Sequence, residues 1–148
     1  MSPKLLTEIK SLNKDKKIDK KTKTDQIISL IVKHSQIEMP AILMTNDVNR
    51  RLSELVDQLQ LAKLTLDQYL KNKKTTLVKY REELEKQVKN DWTLNLAINQ
   101  IAIDQKLKVE EKEIKDIFTK SPELKNDPNL VYYLLTQQKV LDYLQNIL

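Results

Sequence analysis

Apolar residues recur at spacings of three and four along most of this chain, which is the period of a helix and not of a strand. The clearest example begins at Pro40, a residue suited to the first turn of a helix, and continues to about Ala62. Its apolar stripe consists of Met44, Val48, Leu52, Leu55, Val56 and Leu59. No stretch keeps a period of two, so the pattern predicts an all-α fold without a sheet.

The segment from Lys4 to about Lys33 has apolar ends and a polar middle. Its two stripes are made of Leu5, Ile9 and Leu12 and of Ile27, Ile28, Ile31 and Val32. Between them, Ile18 is the one apolar residue. A helix of this kind is not buried along its whole length. The pattern therefore predicts one long helix over 4–34, or two collinear helices, bridging two packing sites.

The middle of the chain predicts a short helix followed by a long one. Thr65 and Gln68 form a capping-box pattern before the short helix, which ends near residue 72. The long helix covers about 76–106, and its second half is apolar on nearly every side. The apolar residues there are Trp92, Leu94, Leu96, Ala97, Ile98, Ile101, Ala102 and Ile103. Because a helix that is apolar all round is buried all round, we expect the centre of the core there, with Trp92 inside it.

The last part of the chain, 109–148, predicts two further helices. The first runs from Val109 to Lys120 with Ile114, Ile117 and Phe118 on one side. A Ser-Pro pair ends it, because the residue before a proline is disfavoured in the helical conformation. An Asp-Pro pair then starts the final helix, whose leucine-rich pattern continues almost to Leu148.

Composition excludes most enzyme classes. The 148 residues contain no glycine and no cysteine, so the usual phosphate-cradling loops, disulfides and thiolate metal sites are excluded. The single histidine, His34, has no His or Cys partner for zinc and no signalled nucleophile beside it. We therefore predict no enzymatic activity, no metal and no cofactor. The length predicts one domain over 1–148.

The charge is mildly basic, at +5, and the excess lies between Lys10 and Lys23, where seven lysines face Asp15 and Asp19. The run predicts a solvated helix face, because no arginine or aromatic residue is interleaved with it. The alternative is a basic helical adaptor for RNA or the ribosome surface. The longest apolar run, 27–32, is too short to span a membrane, and the first residues lack a signal peptide. We expect a cytoplasmic protein.

Five stretches together resemble a known family. They are Ile37-Glu38-Met39-Pro40-Ala41, Leu64-Thr65-Leu66-Asp67-Gln68-Tyr69-Leu70, Glu85-Lys86-Gln87-Val88-Lys89, Leu107-Lys108-Val109-Glu110-Glu111-Lys112-Glu113-Ile114 and Lys139-Val140-Leu141-Asp142-Tyr143-Leu144. In this order and spacing they are similar to the C-terminal domain of bacterial trigger factor, the ribosome-associated folding chaperone.

The resemblance implies a long linking helix and two helical arms around a cradle, a layout also similar to the SurA peptide-binding domain. The linking helix would be 4–34, the first arm 40–72, the body helix 76–106, and the second arm with a closing helix 109–148. The resemblance also implies an ATP-independent chaperone domain that binds unfolded or nascent polypeptides in protein folding and transport.

Two family modules have no counterpart in these residues. The ribosome-docking signature Gly-Phe-Arg-x-Gly-x-x-Pro needs glycine, and the chain has no room for a prolyl isomerase domain. The resemblance therefore implies neither ribosome docking by that loop nor isomerase activity here. Both an excised domain and a stand-alone relative fit this pattern.

A holding chaperone needs apolar side chains at its surface, and methionine adapts well to varied partners. Our candidates flank helix ends or share segments with residues that already fill the inward face. They are Met39, Ile42, Leu43, Phe118, Val131, Tyr132 and Leu134. The resemblance places client-binding positions on the second arm at Val131 and Leu134. Such faces would equally accept a second copy of the chain, so a homodimer is the other partner considered.

Overall fold

The computed structural model describes residues 1–15 and 17–147 and contains helices but no strand in that part of the chain. Seven α-helices and one 3-10 helix follow one another in this part. Their bounds are α1 Pro3–Lys14, α2 Lys20–His34, α3 Ala41–Leu61, α4 Leu66–Asn72, α5 Leu77–Asp104, α6 Glu111–Lys120, the 3-10 helix Pro122–Asn126 and α7 Pro128–Gln145. The predicted all-α fold is confirmed. Lys16 of the basic run and Leu148, predicted near the end of the last helix, lie outside the described residues.

The chain divides into two compact units, and the single domain over 1–148 stays a prediction. Unit 1 comprises the described residues of Met1–Gln36 and Leu94–Leu148, and unit 2 comprises Ile37–Thr93. Helix α5 contributes its first part to unit 2 and its last part to unit 1.

In unit 1, α1 and α2 fold back on one another, so the prediction of a single linking helix or two collinear helices over 4–34 is wrong. In the polar middle of that segment, Lys17 and Ile18 are in a turn. Asp19 starts α2 by accepting hydrogen bonds from the backbone N–H groups of Lys21 and Thr22, each at 3.0 Å. Folding back places both apolar stripes in one core, where Ile9 and Ile27 are fully buried. A continuous helix would have left two separate stripes half-covered.

Helix α7 packs against α1 and α2 and completes this core. Its residues Val140 and Leu144 are fully buried and join Ile98, Ile101 and Ala102 of α5 in the same cluster. Helix α7, the predicted closing helix, thus contributes to the same core as α1 and α2. Helix α6 lies beside α7, to which the side chains of Glu113 and Lys139 connect it at 2.9 Å.

The end of α5 is not buried on every side. The prediction that the apolar second half of this helix is surrounded by the core is therefore wrong. Ile98 and Ile101 face the core of unit 1, whereas Leu96 and Ile103 are 47% and 70% exposed. Trp92 is also at the surface, in unit 2, with its indole N–H 3.4 Å from Asp47 Oδ2. The other elements of unit 1 cover one face of this helix, and the apolar residues of its other faces stay in water.

Unit 2 is built on α3 and the first part of α5. Val48 of α3 and Leu84 and Val88 of α5 form its buried cluster. Asp47 binds Arg50 and the Trp92 indole, which ties α3 to α5. Partial burial would raise the pKa of Asp47, but these hydrogen bonds and the nearby arginine charges outweigh it and hold that pKa below its usual value.

The predicted capping box at the start of α4 is confirmed. The Thr65 hydroxyl accepts from the Gln68 N–H at 3.2 Å, and the Gln68 side chain accepts from the Thr65 N–H at 2.9 Å. The ring of Tyr69 in α4 then meets the ring of Tyr80 in α5 edge to face, with 6.0 Å between centroids. These contacts fix α4 against the rest of unit 2.

Three helix ends use lysine where most proteins use glycine. Lys63, Lys74 and Lys106 have positive φ angles of 57°, 53° and 55°. At each, the N–H of the next residue bonds to the carbonyl five residues earlier, as from Leu107 to Ala102 at 2.9 Å. This is the Schellman arrangement, in which glycine is usual because it has no Cβ to clash in the left-handed conformation. A chain without glycine meets the same need with lysine.

Candidate functional site

A groove opens in unit 1 where α5 ends. After the Schellman turn at Lys106, Leu107 and Lys108 line this groove together with residues of α5 and α7. The groove has a volume of about 760 Å³. It is lined by Asn99, Ala102, Ile103, Lys106, Leu107, Lys108, Tyr132 and Thr136, and we call it the α5–α7 groove.

The apolar lining of the α5–α7 groove combines a fixed floor with accessible walls. Ala102 and Thr136 are buried, and Leu107 packs against the core cluster of unit 1. Ile103 and Tyr132, in contrast, are 70% and 50% exposed. Large apolar side chains that stay exposed beside a concave surface are a feature of interaction sites. The floor cannot collapse to cover them, because it is already part of the packed core.

Consecutive residues of α7 point to different surroundings, which divides the site predicted from sequence. Val131 is 1% exposed, so the expectation that it faces solvent is wrong: it lies on the inward side of the helix. Tyr132 is in the α5–α7 groove. Leu134 is 47% exposed and lines a smaller groove of about 290 Å³ against Lys20 and Thr24 of α2. On a helix, residues two apart project in different directions, so one client segment cannot lie along all three.

The remaining candidates lie elsewhere. Ile42 and Leu43, in the first turn of α3, are 66% and 42% exposed in unit 2. Met39 is partly buried and packs on the Val48 cluster of unit 2. Phe118, on α6 in unit 1, is also partly buried. Unit 2 thus offers one exposed apolar pair from the predicted set, and unit 1 offers Tyr132 and Leu134.

Sequence reasoning missed Ile103 and Leu107 as site residues. The apolar residues that precede Ile103 in the sequence predict a helix buried on all sides, and this pattern places Ile103 in the core. One signal in the sequence could have identified Ile103. A helix with apolar residues on all its faces has more apolar surface than the neighbouring helices can cover, so some of these residues stay exposed. Asp104, directly after Ile103, lies 3.5 Å from the N-terminal amine, and accepts a hydrogen bond from Gln100 at 2.8 Å.

The one histidine has a structural contact. His34 Nε2 lies 2.9 Å from Glu8 Oε1, and Lys33 Nζ lies 3.5 Å from the other carboxylate oxygen. Desolvation would raise the pKa of Glu8, but the hydrogen bond from His34 and the charge of Lys33 hold it below its ordinary value of 4.5. In residues 1–15 and 17–147, no group of three His, Cys, Asp or Glu side chains is placed to hold a metal ion.

The described residues of the basic run belong to the end of α1, to the turn at Lys17 and Ile18 and to the start of α2. Lys14, Lys17, Lys20 and Lys21 are exposed there. The two aspartates of the run accept hydrogen bonds from its backbone. Asp15 accepts one from the Lys17 N–H at 2.9 Å, and Asp19 caps α2. None of the helices described in this chain combines the length and apolar character that crossing a membrane requires.

Fold and site define a class: an all-helical domain that keeps large apolar side chains at its surface, some of them beside an open groove. The sequence profile of the family described as the bacterial trigger factor protein C-terminus matches residues 7–148. The chain belongs to this family, and the resemblance stated from its motifs is confirmed.

Individual relatives agree with this assignment. The chain is 26% identical over 122 residues to the trigger factor of Exiguobacterium sibiricum, covering 82% of this chain and 28% of that protein. It is 28% identical to the trigger factor of Ureaplasma urealyticum (78% of this chain, 27% of that protein) and 24% identical to that of Carboxydothermus hydrogenoformans (80% and 31%). The matched region thus spans less than a third of each of these relatives. No solved structure matches the chain.

Proposed function

We propose that this chain is an ATP-independent chaperone domain that holds unfolded or nascent polypeptide segments in the α5–α7 groove. The observation that carries the proposal is the pairing of Ile103 and Tyr132, which are 70% and 50% exposed in one groove over a packed floor. Membership of the trigger factor C-terminal family supports a chaperone domain in general terms.

The energetics suit transient holding. Burying one large aliphatic or aromatic side chain of a client yields about 1.5–3 kcal/mol, before the cost of ordering the client is subtracted. A groove of about 760 Å³ accepts several such side chains at once. Because the gain comes from removing apolar surface from water, it depends little on client sequence. Leu134 is a further exposed position of unit 1 that would contact a client, and Ile42 and Leu43 are exposed candidates within unit 2.

The test is suppression of aggregation, without ATP, of a chemically denatured reporter enzyme followed by light scattering. We expect the wild-type chain to slow aggregation and Ile103→Ser with Tyr132→Ser to lose most of this effect. The matched control is Leu61→Ser with Val78→Ser, which removes two apolar side chains that are 88% and 68% exposed outside the groove. Far-UV circular dichroism checks that all variants keep their helices.

The outcomes separate three statements. If the wild-type chain protects and the groove variant protects equally well, the groove assignment is wrong. If the wild-type chain gives no protection, the chaperone function is wrong. RNA binding that falls steeply with salt, without any protection of the reporter, would instead support the basic adaptor built on Lys10–Lys23.

A further inference from the structure

In the part of the chain that the structure describes, the charged residues that line the α5–α7 groove are all cationic. They are Lys106 and Lys108, and no carboxylate of this part lines the groove. Neither lysine takes part in an ion pair within residues 1–15 and 17–147. The adjacent carboxylate, Asp104, accepts a hydrogen bond from the side chain of Gln100 at 2.8 Å. The positive charge of these lysines is therefore available to a bound molecule.

Two further grooves of unit 1 differ in this respect. The groove between α1 and α2, of about 510 Å³, is lined by the carboxylates of Glu8 and Asp15 and by no lysine of residues 1–15 and 17–147. The groove at Leu134 has one charge of each sign, from Lys20 and Asp142. Among these three, only the α5–α7 groove combines apolar walls with charged lining residues that are all positive, although unit 1 also has exposed carboxylates such as Glu110 and Glu111.

We propose that the α5–α7 groove selects apolar segments flanked by Asp or Glu over the same apolar segments flanked by Lys or Arg. This inference rests on the function proposed above and names the class of client. Apolar contact with Ile103 and Tyr132 supplies affinity for any segment. Lys106 and Lys108 attract acidic flanks and repel basic ones, so charge supplies the difference between clients.

The expected size of the preference is modest because the lysines are exposed. Single ion pairs in water contribute little, but attraction in one complex and repulsion in the other act together, and two lysines contribute. We expect acidic-flanked peptides to bind about tenfold more tightly than basic-flanked ones at low salt. The difference should shrink as added salt shortens the range of the interaction, whereas the apolar contribution remains.

The experiment measures fluorescence anisotropy of three labelled peptides with one common apolar core and flanks of aspartate, serine or lysine. The wild-type chain should bind them in that order of decreasing affinity. Lys106→Glu with Lys108→Glu should reverse the order, and Lys106→Gln with Lys108→Gln should abolish it. The matched control, Lys120→Glu with Lys125→Glu, makes the same charge change at exposed positions of unit 1 outside the groove and should keep the wild-type order.

Equal binding of all three peptides, lost in Ile103→Ser with Tyr132→Ser, would overturn the charge preference and leave the proposed function intact. No binding of any peptide by the folded wild-type chain would overturn both. A preference that persists unchanged in the folded Lys106→Glu with Lys108→Glu variant would show that these lysines do not cause it, and would also overturn the inference.

Discussion

The side-chain amide nitrogen of Asn13 lies 2.8 Å from the carbonyl oxygen of Leu144, and this hydrogen bond joins the end of α1 to the last turn of α7. The same nitrogen also reaches the carbonyl oxygen of Ile147 at 2.8 Å. The last carbonyls of a helix have no partner within the helix, so a side chain that reaches them satisfies an otherwise open acceptor. Residues 131 positions apart are connected in this way.

We therefore expect Asn13→Ala to lower the free energy of unfolding by about 1 kcal/mol, as a lost hydrogen bond usually does. Urea denaturation followed by far-UV circular dichroism measures it. Asn99→Ala is the control, because Asn99 is an exposed asparagine on another helix of the same unit. Equal stability of the two variants would mean that the Asn13 contacts do not stabilise α7.

Substitutions of the neighbours Val131 and Tyr132 should affect different properties. The first should lower stability, and the second should weaken client binding. Val131→Ala leaves a cavity beneath α7 and should cost about 2 kcal/mol of stability. Tyr132→Ala removes a half-exposed side chain and should cost less than about 1 kcal/mol, yet weaken protection of the denatured reporter. Urea denaturation and the aggregation assay, run on both variants, separate the two roles. A Val131→Ala variant that is as stable as wild type would contradict its burial.

The sequence predicted the helices well because each helix depends on local periodicity and local caps. The capping box of Thr65 and Gln68 and the proline before α3 are signals that involve only neighbouring residues. Helices begin at both, as predicted. The inward side of α7 was not predictable in the same way. The leucine, valine and tyrosine residues of α7 are distributed over all of its faces. Its sequence pattern therefore does not show which face α1 and α2 cover.

The turn between α1 and α2 shows the same limit. A polar stretch from Lys14 to Lys20 is compatible with an exposed continuous helix or with a turn, since both place it in water. Whether this segment forms a continuous helix or a turn depends on how its two apolar stripes pack. The stripes at Ile9 and Ile27 can pack against each other or against separate parts of the protein. That is a tertiary question, which the hydrophobic pattern of this segment alone does not answer.

Stability should depend on pH through Glu8. Its carboxyl pKa is lower in the folded chain than its ordinary value of 4.5, so below that value the unfolded chain binds the proton more readily than the folded chain. The contribution of Glu8 is present above pH 4.5 and is lost as the pH falls through the lowered folded value. We expect Glu8→Gln to be less stable than wild type near pH 7, and the difference to shrink in acid.

Urea denaturation of both proteins between about pH 3 and pH 7 measures this difference. The control is Glu82→Gln, which removes an exposed carboxylate of α5. A carbon-13 NMR titration of the Glu8 carboxyl gives the folded pKa directly. A midpoint at or above 4.5 would contradict the arrangement of Glu8 with His34 and Lys33.

The last prediction concerns the lysines in the left-handed conformation, and Lys74 is the best position for it. Lys74 has φ of 53°, its N–H bonds to the Lys71 carbonyl at 3.0 Å, and the Thr75 N–H bonds to the Leu70 carbonyl at 3.0 Å. Its side chain is exposed. A residue with a Cβ pays about 1 kcal/mol to adopt this conformation, and glycine avoids that cost at the expense of a more flexible unfolded chain.

We expect Lys74→Gly to stabilise unit 2 by about 0.5–1 kcal/mol. Lys74→Ala removes the same charge but keeps the Cβ, so it should leave stability nearly unchanged and shows whether charge is responsible. Lys71→Gly, inside α4, should destabilise by about 1 kcal/mol, because glycine is unfavourable in a helix interior. The single tryptophan, Trp92, lies in the same unit, so its fluorescence during urea denaturation reports the change. If Lys74→Gly is no more stable than Lys74→Ala, the left-handed conformation at this turn costs the chain nothing.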